Sequence, residues 1–168
     1  MRLLVNEKHW GRFDLRPASS PEKGALRSYD STGQRLDWWP PVRFVGRRCA
    51  CDVESVARAP LPHWRSFASR EVSVLGFHAF WVLAELSAKL RDMPILEWLV
   101  VHRRGTIPEV KGVSHALILS GWRRDWTLGF GYFQQSRTYP AHAGAVLGFR
   151  SVSIVRNGRC MTQSEALA

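Results

Sequence analysis

Three cysteines and six histidines are the side chains of this sequence best suited to metal, redox or proton-transfer chemistry. They are Cys49, Cys51 and Cys160, and His9, His63, His78, His102, His115 and His142. Cys49-x-Cys51 with His63 offers three zinc ligands, whereas a structural zinc site closes with four and no fourth stands at a suitable spacing. An odd cysteine count with a C-x-C pair does not fit a disulfide framework. No two histidines stand at helical or metal-ligand spacing. His78 and His102 fall on predicted helices, where a hydrogen-bonded structural role is the ordinary one. Nucleophile and phosphate motifs of the G-x-S-x-G and G-x-x-x-x-G-K-[ST] kinds are missing. "GFGYF", from Gly129 to Phe133, contains G-x-G but neither a third glycine nor a strand–helix–strand setting, so it is no nucleotide loop. These residues predict no catalytic group and no cofactor, with copper or zinc on the cysteines as the minor alternative.

The frame that would hold such residues is a single domain spanning 1–168. A chain of 168 residues with 45% hydrophobic and 23% charged residues can bury one core unaided. Eight tryptophans and eight phenylalanines are spread along it, so most must serve that core. The net charge of +10 favours nucleic acid, an acidic surface or an acidic partner. Basic residues gather at Arg43–Arg47–Arg48, His102–Arg103–Arg104 and Arg123–Arg124, without forming the continuous run of a disordered basic tail. No apolar stretch approaches the length of a membrane span, and the three-residue apolar run at the start is too short for a signal peptide. The expected location is cytoplasmic.

Asn6 is placed to cap a short helix carrying Trp10 and Phe13 on one face. The stretch from Asp14 to Pro41 is rich in Pro, Ser, Gly and Asp, and reads as loops and turns anchored by Trp38 and Trp39. "VRFVGRRCACDVESVARA" suits a short strand and a turn. An extended "EVSVLG" leads into the strongest helix, where Phe77, Phe80, Trp81, Ala84 and Ala88 keep helical spacing and Leu83, Leu86 and Leu90 widen the stripe. Pro94 suits the first position of a second helix, "PILEWLVVHRR", ended by Gly105. "HALILSG", "LGFGYF" and "GFRSVSIV" read as strands, and 134–147 as a long irregular segment. Helices followed by strands and loops predict an α+β fold.

Five landmarks stand in order: V-N-x-x-x-W-x-x-F (Val5, Asn6, Trp10, Phe13), V-S-V entering a helix, "LRDMPILEWLVVHRRG", "LSGW", and "RTYPAHAGAVLGFRSV". This order resembles the formylglycine-generating enzyme, or sulfatase-modifying-factor, family. Arg91, Pro94, Glu97, Trp98, Arg104 and Gly105 match its central block. Gly121 and Trp122 match its G-G-S-W loosely, and Arg137, Pro140, Gly148, Phe149 and Arg150 match its closing block. The resemblance implies a C-type-lectin-like fold with two helices, a small twisted antiparallel sheet and long loops. Trp98 would pack in the core, and Arg150 would brace loops, Glu97 being one candidate partner. The family's oxidases use paired thiols on copper, and the related sulfoxide synthases an H-x-x-x-H-x-E iron site. This chain has neither pattern, since no cysteine lies between Asp52 and Arg159.

The resemblance also includes the variable proteins of diversity-generating retroelements, which carry ligand-binding residues between the G-W block and G-F-R. The corresponding window, 123–147, displays Arg123, Arg124, Trp126, Tyr132, Gln135, Arg137, Tyr139 and His142, of types enriched at interface hot spots. The same Trp126 and Tyr132 are equally suited to a core. The window is not Asn-rich, unlike a retroelement target. The expectation is a non-catalytic lectin-like domain binding a protein or other macromolecule through 123–147. Two alternatives stand beside it. One is a nucleic-acid-binding or ribonucleoprotein component, from the charge and the Arg–aromatic interleaving of "WWPPVRFVGRR" and "GWRRDW". The other is a divergent copper oxidase joining Cys160 to another cysteine.

Overall fold

The computed structural model describes residues 10–17, 23–68, 73, 75–101, 113–122, 126–134, 149–156 and 159–161. Side chains are described within these except at 113–122, 133–134, 149–156 and 159–161. Among the described residues, two α-helices and eight strands make an α+β arrangement.

The stretch expected to be loops forms a sheet instead. β1 (Arg12–Pro17), β2 (Leu26–Tyr29) and β3 (Gln34–Trp39) pair antiparallel in the order β1-β3-β2. Their alternation explains why. "RFDLR" and "QRLDWW" send Phe13, Leu36 and Trp38 to one face and Arg12, Asp14, Arg35, Asp37 and Trp39 to the other. Asp30 builds the turn between β2 and β3, its Oδ1 accepting from the backbone N–H groups of Thr32 at 2.8 Å and Gln34 at 2.9 Å. Trp10 is helical as expected, but Phe13 lies on β1; the two still meet in one buried cluster.

β3 is buried on both faces. Arg35 and Asp37, opposite the apolar face, are buried as an ion pair with nitrogen–oxygen distances of 2.8 and 3.0 Å, and Arg16 and Arg27 also reach Asp37. A buried carboxylate needs such company.

β4 (Arg48–Ser55), β5 (Val113–Trp122), β6 (Trp126–Gln134), β7 (Phe149–Arg156) and β8 (Arg159–Met161) form a second sheet in the order β4-β6-β5-β7-β8. Three of these strands were legible from the sequence. The sheet differs from the small antiparallel one expected, because β5 and β7 run parallel.

The layers follow from alternation along β4 and β6. Cys49, Cys51, Val53, Leu128, Phe130 and Tyr132 face the first sheet, packing with Phe13, Leu36 and Trp38. Ala50, Asp52, Glu54, Thr127, Gly129 and Gly131 face the helices by the same alternation. Helix α1 (Phe77–Arg91) covers this side. All eight residues of its predicted stripe are buried, together with Ala79, Val82 and Ser87, as befits a helix enclosed on most sides. Asp92 ends it in the left-handed conformation (φ 59°), and Met93 N–H donates to the Ala88 carbonyl at 3.0 Å.

Helix α2 (Ile95–Val101) starts after Pro94, whose carbonyl accepts from Trp98 N–H at 2.9 Å. Trp98 is 1% exposed in the helix-side core, as expected, while Glu97 faces solvent. Half of "EVSVLG" lies outside the described residues; in the other half Ser73 is helical, Leu75 is in a turn and Gly76 precedes α1, so the extended entry expected there is not seen among them.

Gly129, the first glycine of "GFGYF", therefore serves packing. A Cβ on Gly129 would collide with Val82 Cγ1 and come within 2.9 Å of Leu86 Cδ1, so only glycine lets α1 approach β6 this closely.

Candidate functional site

Three groupings of polar or reactive side chains stand out among the described residues, and their geometry assigns them different work.

The first contains the thiols. Cys51 is buried and Cys49 half-buried, both on the face of β4 that packs against the first sheet. Burial pushes the Cys49 thiol up to about 11 and the Cys51 thiol up to about 12. Thiols held protonated are poor nucleophiles and poor metal ligands. Cys160 lies on β8, at the opposite edge of the same sheet. Four strand spacings of about 4.8 Å separate the two edges, about 19 Å in all. The second sheet thus keeps Cys160 apart from Cys49 and Cys51. His63, the third zinc candidate, is exposed at a left-handed position ahead of a 3-10 turn. Among the described residues no three metal-ligating side chains group together. His78 has a structural partner: its Nε2 donates to the Arg58 carbonyl at 3.1 Å.

The second grouping joins the layers. Lys89 of α1 donates to Asp52 Oδ1 on β4 at 2.6 Å, to Ser28 Oγ on β2 at 2.9 Å and to the Cys51 carbonyl at 3.3 Å. Ser28 Oγ in turn donates to Asp52 Oδ1 at 2.8 Å. A serine beside a lysine invites a nucleophile–base reading, but that requires a neutral amine. Here Asp52 and Glu85 hold the Lys89 pKa above its ordinary value, against the opposing effect of burial. Asp52 moves up to about 7, because complete burial outweighs the nearby ammonium. Both shifts belong to one pair, whose carboxylate is dry and whose ammonium, 35% exposed, keeps some water. The grouping is a polar pin between two sheets and a helix. Glu54 and Arg58 form a similar pair nearby, with the Arg58 guanidinium 4.2 Å from the Trp81 ring centroid.

The third grouping is a surface. Two prolines, Pro40 and Pro41, turn the chain out of β3 into a 3-10 turn at Val42–Phe44, and the chain re-enters the second sheet at Arg48. Phe44 is the buried anchor of this loop. Its ring lies 4.2 Å from Tyr132 and 6.1 Å from Trp10, centroid to centroid. With the anchor inside, the arginines lie on aromatic faces. The Arg43 guanidinium is 5.0 Å from the Phe44 centroid, Arg47 is 5.3 Å from Tyr132, and Arg12 is 4.1 Å from Trp39. Arg12, Arg43, Arg47 and Arg48 are all exposed, as are Val42 (85%) and Val45 (79%). Arg48 pairs with Asp92 at 3.1 Å. Gly46 stands at φ +78°, and no atom of the described residues lies within 4 Å of where its Cβ would be.

The window 123–147 meets this surface at one residue. Tyr132 is half-buried beneath Arg47. Trp126 lies at the other end of β6, about 20 Å away at some 3.3 Å per residue. There it packs on the core, and its indole N–H donates to Asp30 Oδ2 at 2.9 Å. The two aromatics are thus separated rather than gathered in one patch. Arg123, Arg124, Gln135, Arg137, Tyr139, His142 and Gly148 lie outside the described residues. Trp122 is on β5 and Phe149 and Arg150 on β7, where the strand path alone is described. The interleaved "WWPPVRFVGRR" signalled the arginine surface in the sequence; that Tyr132 and Arg12 belong to it depends on strand pairing and carried no local signal.

No family model matches this sequence, and no curated protein or solved structure matches it.

Proposed function

We propose that this chain is a non-catalytic binding domain that recognises an anionic macromolecule through the surface formed by loop 40–48, Arg12 and the Tyr132 end of β6. One observation carries the reading. Three exposed guanidinium groups, those of Arg12, Arg43 and Arg47, lie 4.1 to 5.3 Å from aromatic ring centroids. A ring holds a guanidinium in place while leaving it a cation, and exposure lets an anionic ligand approach it. The net charge of +10 adds long-range attraction.

The α+β frame is read here as the C-type-lectin-like fold of the formylglycine-generating-enzyme family. This rests on the ordered landmarks from Val5 to Arg150. In that reading the other residues of the 123–147 window contribute to ligand binding. The copper-oxidase alternative is not carried forward, because β4 and β8 stand at opposite sheet edges.

Retention on immobilised heparin, a generic polyanion, tests the surface. Arg43→Glu with Arg47→Glu takes the net charge from +10 to 10 − 4 = +6. Lys23→Glu with Arg65→Glu does the same at exposed positions elsewhere, and since Arg65 also lies 5.2 Å from the Trp64 ring centroid, the comparison tests the place of the arginines and not aromatic support alone. The first variant should elute at clearly lower salt than the second. Identical elution would show that total charge governs retention and would reject the surface.

A further inference from the structure

We infer that loop 40–48 also docks on the surface of an anionic lipid bilayer, with Val42 and Val45 entering the headgroup layer and Arg43, Arg47 and Arg48 meeting the anionic headgroups. The inference rests on the arginine surface proposed above and adds a second kind of partner to it.

The loop carries a pair of apolar side chains that an anionic ligand alone does not explain. Val42 and Val45 are the two most exposed large hydrophobic side chains among the described residues. They bracket the exposed Arg43 and the buried anchor Phe44, so one turn presents aliphatic tips and a cation together. Arg47 and Arg48, both exposed, follow within three residues of Val45. Peripheral membrane binding combines these two contributions: apolar area placed in the headgroup layer, and attraction of basic side chains to anionic lipid. A protein partner suits the valines less well. Interface hot spots favour tryptophan, tyrosine and arginine over valine, and they need a matching pocket. A fluid bilayer needs none, and a soluble polyanion gains little from aliphatic tips.

The backbone of the loop is suited to leaving water. Pro40 and Pro41 carry no N–H. The N–H groups of Phe44, Val45 and Arg47 donate within the loop, to the carbonyls of Pro41, Val42 and Phe44 at 2.8, 2.9 and 2.9 Å. Internal pairing of this kind lowers the cost of moving a turn toward lipid, where water no longer serves as a partner. The next most exposed apolar pair is Leu96 and Val100 on α2. Exposed Glu97 stands beside Leu96, and an anionic surface repels its carboxylate. Charge therefore selects loop 40–48 over α2.

Cosedimentation with vesicles of phosphatidylcholine alone, and of phosphatidylcholine with about 30 mol% phosphatidylserine, tests the inference. The protein should bind the phosphatidylserine vesicles and not those of phosphatidylcholine. Val42→Ser with Val45→Ser should bind the former about tenfold more weakly and keep its heparin elution. Leu96→Ser with Val100→Ser should bind them as tightly as the unaltered protein. Absence of binding to phosphatidylserine vesicles, undiminished binding by the Val42/Val45 variant, or an equal loss in the Leu96/Val100 variant overturns the inference. Loss of heparin retention in the Val42/Val45 variant also overturns it, because the valines then belong to the site for a soluble polyanion. Each of these outcomes leaves the arginine surface in place. Identical heparin elution of the two charge-matched variants removes the surface itself.

Discussion

Lys89→Met should destabilise the protein in a strongly pH-dependent way. The substitution keeps the aliphatic stem and removes the ammonium that reaches Asp52 at 2.6 Å. Removing one member of a buried pair costs about 3–5 kcal/mol, because the remaining charge is left dry. Lys89 is 35% exposed, so solvent screening brings the expected loss at pH 8 to about 2–3 kcal/mol. For a chain of this size that lowers the melting temperature by about 5–10 °C. The sign with pH follows from Asp52. Its folded pKa of about 7 lies above the ordinary 3.8. Its contribution is therefore fully present below the ordinary value and is lost as pH rises through 7. Without Lys89 the carboxyl loses its attractive partner and moves higher still. The variant should then lose little at pH 5, where Asp52 is protonated in the fold, and most at pH 8. Thermal melts at both pH values measure this. Lys89→Met combined with Asp52→Asn should recover most of the loss at pH 8. Equal losses at pH 5 and 8, or no recovery in the double variant, would refute the reasoning.

Gly129→Ala forces Val82 and Leu86 away from β6 and should cost about 1–3 kcal/mol by chemical denaturation; an unchanged midpoint would mean the helix–sheet gap is wider than described. Trp98→Ala should cost about 3–5 kcal/mol because the indole is buried, whereas Glu97→Gln, on an exposed side chain, should stay within about 0.5 kcal/mol. In a Cys160→Ala background, Cys49 and Cys51 should react with a disulfide reagent at pH 8 far more slowly in the folded protein than in denaturant. Their pKa values of about 11 and 12 leave little thiolate, and a rapid native-state reaction would contradict the burial described for β4.

The elements that could be read from sequence were those with a single dominant signal. The α1 stripe and the strands at 113–122, 126–134 and 149–156 carry periodicity strong enough to outweigh their surroundings. The first sheet was misread because its proline, serine and glycine content spoke for loops. Its alternation was present in "RFDLR" and "QRLDWW", with Asp30 to Gly33 as the turn between strands, but the strands are four to six residues long and six of their sixteen residues are charged. Short strands with buried arginine and aspartate defeat hydrophobic patterning, because Arg35 and Asp37 are interior only by virtue of each other. The polar pin was beyond local reading for another reason. Ser28, Asp52 and Lys89 come from β2, β4 and α1, and only the stacking of layers brings them together. Tyr132 stands out in the sequence as an aromatic of the 123–147 window. Its partner in space is Arg47, however, rather than Trp126, six residues away on the same strand.

Hydrogen exchange of the protein with and without a defined heparin fragment tests the binding surface most directly. Slowed exchange should concentrate in residues 42–48 and at the Tyr132 end of β6, and should be absent in Arg43→Glu/Arg47→Glu. Protection confined to other segments, or retained at full strength in that variant, would contradict the account.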